Sequence, residues 1–144
     1  FLLLGLGIAA GIRWRGKYSD CGQAFSKLYG VMGRYVCGTP MDLYYDEGAK
    51  DDDADVESVV PIRKGKQVEG ISVRELPGGK AVCLIHKGPY DLIGAAYARL
   101  TDHAREHAMQ FARPVRQVYI KGPGIIFKNP KNYLTEIQML IEEP

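Results

Sequence analysis

Cysteine is scarce in this sequence: Cys21, Cys37 and Cys83 are an odd set of three with no C-x-x-C pair. That excludes a disulfide framework and a thiolate zinc site, and it fits a reducing, cytoplasmic setting. Neither sign of charge is in excess: 19 Lys and Arg face 17 Asp and Glu, a net charge of +2, with no basic cluster. Nucleic-acid binding by these residues alone is therefore not expected, and no nucleic-acid motif is present. The apolar run from Phe1 to Ile12 is too short to span a bilayer. It reads as the end of a longer anchor or signal core, or more plainly as a buried strand leading into Arg13-Trp14-Arg15. An upstream DNA-binding domain and a dimer partner remain open.

Catalytic signatures are missing as well. There is no glycine-rich phosphate loop, no G-x-S-x-G elbow and no cysteine–histidine motif. No metal or cofactor is expected. His103 and His107 lie four apart on a helix, a metal-ligand spacing, but nothing supplies a third ligand. The acidic loop from Asp46 to Asp55 lacks the alternating oxygens and closing glutamate of a calcium loop and reads as solvated.

What is present is a globular composition, 46% hydrophobic and 25% charged over 144 residues, enough for one domain or two tightly joined halves. Residues from about Gly5 to Arg15 read as a strand. Ser19 is the expected N-cap of a helix whose apolar stripe is Cys21, Ala24, Phe25, Leu28, Val31, Met32 and Tyr35. Strands follow at Met41 to Tyr45 and Val56 to Ile62. Ile71 to Leu76 and Lys80 to Lys87 read as a hairpin about Pro77-Gly78-Gly79. Asp91 caps a second helix with the stripe Ile93, Ala96, Tyr97, Leu100 and Ala104. Val115 to Ile120 and Leu134 to Ile141 are the last strands, separated by a loop containing Gly122-Pro123-Gly124.

The halves, about 5–65 and 70–144 of a single domain, repeat one another. At an offset of 72, Gly16-Lys17-Tyr18 matches Gly88-Pro89-Tyr90, Trp14 matches His86, and Leu28 matches Leu100. Further on, Pro40 matches Pro114, Tyr45 matches Tyr119 and Glu57 matches Glu136. Neither half can bury its helix stripe and sheet face alone. The predicted fold is therefore α+β: a tandem pair of strand-helix-strand-strand units forming one antiparallel sheet with both helices on one face. A groove between the helices is the natural ligand site.

The ordered set Gly88-Pro89-Tyr90, Ala96-Tyr97, Leu100, Pro114, Val118-Tyr119, Asn129-Pro130 and Thr135-Glu136-Ile137 resembles the GyrI-like small-molecule-binding family. That family is also the effector-binding domain of many MerR- and AraC-type multidrug regulators. The last strand departs from many members in lacking a proline near its end. The resemblance implies a site for bulky, lipophilic, often cationic compounds, with a buried glutamate, here Glu136, in an aromatic cage that includes Tyr119. Some stand-alone members are cyclopropanoid hydrolases, which would give Glu136 and Tyr119 catalytic roles.

Glu136 is the key candidate on its own residues too. A carboxylate in an otherwise apolar strand is costly unless compensated, and desolvation would raise its pKa. It could instead pair with Arg116 on the neighbouring strand. Trp14, Tyr45, Glu57, Tyr90, Tyr97, Tyr119 and Glu136 are the expected ligand-binding set, with Phe25 lining or underlying the groove. His86 is a lesser candidate base. The expected function is effector sensing or sequestration of a bulky hydrophobic or cationic small molecule. The alternatives are a cyclopropanoid hydrolase, with Glu136 activating water, and a protein-interaction module.

Overall fold

The computed structural model describes residues 2–4, 7–46, 52–65, 67–121 and 129–142, leaving out the side chains of 2–4, 19 and 91. The expected Gly122-Pro123-Gly124 loop and the capping side chains of Ser19 and Asp91 lie outside the described parts. Among the described residues eight strands form one sheet: β1 (Leu2–Leu4), β2 (Gly7–Gly16), β3 (Met41–Tyr44), β4 (Ala54–Pro61), β5 (Ser72–Leu76), β6 (Gly79–Lys87), β7 (Val115–Lys121) and β8 (Leu134–Leu140). The order is β1-β6-β8-β7-β3-β4-β2-β5, and every pairing is antiparallel. The fold is α+β, with α1 (Cys21–Met32) and α2 (Gly94–Glu106) on one face.

The helices sit where the apolar stripes put them. Ala24, Leu28 and Met32 of α1 are buried, and Leu28 and Met32 pack on Ala10 and Val60. Ala96 and Leu100 of α2 pack on Val82, Ile137 and Met139. Before α1 the chain makes a 3-10 turn, Tyr18–Asp20, and the Asp20 carboxylate accepts from the Lys17 backbone amide at 3.0 Å. Side chains alternate across a strand, so the residues between these contacts face the other way. There Ala9, Leu43, Val59 and Leu76 form a second core on the helix-free face.

One expected pairing does not form. β5 and β6 are joined through Pro77 and Gly78, yet β5 pairs with β2, and β6 pairs with β1 and β8. The two halves exchange their first strands. Leu4 lies opposite Gly79, and Leu76 lies opposite Gly7, in equivalent registers. β5 is one edge of the sheet and β6 lies beside the other, and two residues reach only about 10 Å. The sheet must therefore curl until its edges approach, enclosing the second core. Arg116, 6% exposed in the middle of the sheet, spans this interior and donates to the Pro77 carbonyl.

Candidate ligand-binding groove

The cleft between α1 and α2 has a volume of about 1370 Å³. Cys21, Phe25 and Tyr29 of α1 form one wall, and Tyr97 and Thr101 of α2 the other. Tyr90, from the 3-10 turn before α2, closes one end, and Tyr44, Gln117 and Tyr119 of the central strands form the floor. The aromatic rings meet edge to face: Phe25 and Tyr90 lie 6.2 and 5.5 Å from the Tyr119 ring.

Beneath the floor is an acid. Asp42 on β3 is 0% exposed. It accepts from the Ser58 hydroxyl on Oδ1 and from the Tyr119 hydroxyl on Oδ2, both at 2.5 Å. Trp14 Nε1 donates to Ser58 Oγ at 3.0 Å, which fixes the serine from behind. The Tyr44 and Tyr119 hydroxyl oxygens are 3.2 Å apart, Tyr44 reaches Gln117 Oε1 at 3.4 Å, and Gln117 Nε2 donates to the Tyr97 hydroxyl at 2.5 Å. One hydrogen-bonded series therefore runs along the helix side of the sheet from Trp14 to Tyr97 on α2.

Burial sets the protonation of this network. It pushes the Asp42 carboxyl above the usual carboxylate range, against the lowering effect of the Ser58, Tyr119 and Cys21 hydrogen bonds. Burial also raises Tyr44 and Tyr119 well above ordinary tyrosine, and Tyr90 and Tyr97 to about 12. The Cys21 thiol is pushed up to about 11 by burial and then by Asp42. At neutral pH Tyr44, Tyr90, Tyr97, Tyr119 and the Cys21 thiol are neutral, which suits binding better than nucleophilic attack.

Of the expected set, Tyr90, Tyr97 and Tyr119 line this groove, as does Phe25. Glu136 does not. Thr135, Ile137 and Met139 point to the helix side, so the two-residue period turns Glu136 to the other face. There it is half-buried and accepts from Gln138 Nε2 at 2.5 Å. It does not pair with Arg116, whose guanidinium goes to Pro77. Glu57 and Tyr45 share that face. Glu57, 4% exposed, takes two hydrogen bonds from Arg74 at 2.7 and 3.2 Å and one from the Tyr45 hydroxyl at 2.8 Å. A side chain at Gly11 would strike it, with a Cβ placed 2.5 Å from Glu57 Oε2. Trp14 is on the helix side but serves as a donor to Ser58 rather than as a wall. His86 Nε2 lies 3.0 Å from the Pro89 carbonyl. His103 of α2 stacks on His107 at the helix C-cap, and no metal-holding cluster exists among the described residues.

The displacement of Tyr45 has a register cause. Leu43 pairs with Glu57, and Val118 pairs with Glu136. If the two glutamates are mates, Leu43 matches Val118 and Tyr44 matches Tyr119. The repeat is one residue off in this strand, and the tyrosine mates are the two whose hydroxyls meet. Asp42 went unnoticed in the sequence although it carries the signal used for Glu136, a lone acid in an apolar strand.

Residues 8–142 match the sequence profile of the GyrI-like small molecule binding domain. The chain belongs to that family. Among solved structures it is similar to the C-terminal domain of EcmrR, at 25% identity and a TM-score of 0.80, covering 99% of this chain and 96% of that one. It also matches EcmrR in a cryo-EM complex with DNA, at 25% identity and a TM-score of 0.88, covering 99% of this chain. There it spans 56% of the EcmrR chain. SAV2435 bound to tetraphenylphosphonium shares the fold, at 13% identity and a TM-score of 0.70, covering 98% of this chain and 92% of that one. No curated protein matches the sequence.

Proposed function

We propose that the groove captures bulky, lipophilic, aromatic cations, as the effector-sensing module of a regulator or as a sequestering protein. The observation that carries this reading is a cleft roomy enough for a bulky ligand, walled by tyrosine and phenylalanine, with a carboxyl group behind its floor. Tyrosine faces attract cations by about 0.5–2 kcal/mol each. Two comparisons support the reading. SAV2435, of the same fold, is bound to tetraphenylphosphonium, and the EcmrR domain belongs to a longer protein seen on DNA. Catalysis by Glu136 draws no support from the geometry, because that carboxylate faces away from the groove.

Titration with tetraphenylphosphonium by calorimetry tests the proposal. Saturable one-to-one binding is expected, and Tyr97→Ala or Phe25→Ala should weaken it about tenfold or more, the loss of one or two ring contacts. Binding untouched by both substitutions would place the ligand elsewhere.

A further inference from the structure

We infer that the groove is a cation–proton exchange site, in which an entering lipophilic cation displaces one proton held by Asp42. The inference rests on the groove being a ligand site and adds what happens to its charge. Asp42 has no exposed surface and stands one hydroxyl behind the floor. The groups facing it are all neutral at pH 7: Cys21 from α1, Ser58 from β4, Tyr119 from β7, Tyr44 on its own strand, and Tyr90 and Tyr97 across the groove. None of its hydrogen bonds among the described residues comes from Arg, Lys or His. Among the described residues, the charged ones lining the groove are Asp46 and Arg113, with Arg113 donating to the Asp46 carbonyl at 3.0 Å. A buried carboxylate without a cation is costly, so the unliganded groove raises the carboxyl's hold on a proton above that of an ordinary carboxylate, and a cation at the floor lowers it.

The hydroxyls can serve both forms. With Asp42 ionised, Tyr44 donates to Tyr119 and Tyr119 donates to Oδ2. With Asp42 protonated, its O–H donates to Tyr119, Tyr119 to Tyr44, and Tyr44 to Gln117 Oε1. The Tyr44–Tyr119 contact admits either direction. Ser58 keeps its orientation in both, because Trp14 occupies its oxygen. The balance is complete: the carboxylic acid plus a cation gives the carboxylate–cation pair plus one proton released to water. No other bond breaks.

The test compares tetraphenylphosphonium with uncharged triphenylphosphine oxide across pH, by calorimetry in buffers of different ionisation enthalpy. Below the Asp42 pKa, cation affinity should rise about tenfold per pH unit with close to one proton released per cation bound, and the oxide should show neither effect. Asp42→Asn should abolish the pH slope and proton release, and weaken the cation more than the oxide. Tyr119→Phe, which keeps Asp42 but cuts its link to Tyr44, should reduce the cation's advantage over the oxide. Cation binding at a flat pH profile, or the same profile in Asp42→Asn, would overturn the exchange while leaving the groove reading intact. Failure of both ligands to bind would overturn the groove reading itself and the exchange with it. If Asp42→Asn does not fold, the wild-type proton count decides.

Discussion

Among the described residues two acids are almost fully buried, and they are treated in opposite ways. Glu57 is held by a two-pronged arginine and a tyrosine, so its charge is compensated where it stands. Asp42 receives only neutral donors. Its raised pKa makes the folded state bind a proton more tightly than the unfolded chain does. The stabilising contribution is therefore complete at pH below the ordinary carboxylate range and is lost as pH rises through the folded pKa. Chemical denaturation across pH should show wild-type stability falling over that window, and Asp42→Asn should remove that part of the slope. An unchanged slope in the variant would assign the pH dependence to other groups.

At the scale of elements, each helix is held to the sheet by one deep leucine, Leu28 at 0% and Leu100 at 3% exposure, and these are mates in the repeat. Leu28→Ala and Leu100→Ala should each cost about 2–5 kcal/mol, the range for a buried leucine that leaves a cavity. Urea unfolding would read both. A loss below about 1 kcal/mol at either position would mean that the helix is held by other contacts. These leucines were legible in the sequence because the helical stripe fixes which residues face the sheet. Strand residues were legible in kind but less so in facing, since a shift of one residue reverses the face. Pairing Tyr45 with Tyr119 in the repeat was that shift, and it hid the Tyr44–Tyr119 contact. Glu136 was misplaced for a related reason: a lone acid signals an unusual environment, and only the positions of Thr135, Ile137 and Met139 against α2 say on which side it lies. The turn residues point to a β5–β6 hairpin, and nothing local reveals that β5 pairs with β2 of the other half while β6 lies between β1 and β8.

For the whole molecule, that exchange of strands matters more than the repeat itself. β5 belongs to the second half by sequence and pairs with β2 of the first, while β1 of the first half pairs with β6 of the second. β3 and β7 join the halves at the centre of the sheet, and Arg116 ties the middle of the curl to the turn at Pro77. The interior core draws on both halves, with Ala9, Leu43 and Val59 from one and Leu76 from the other. A piece covering residues 70–144 alone would lose β2 beside β5, β3 beside β7 and β1 beside β6, and expose one side of that interior. As a monomer it should lack a cooperative thermal transition, and so should residues 1–69. Mixing the two should restore the transition and the near-ultraviolet signal of Trp14, because the missing pairings lie in the other piece. A cooperative transition from either piece while it sediments as a monomer would show that the exchanged strands are ornaments on two self-sufficient units.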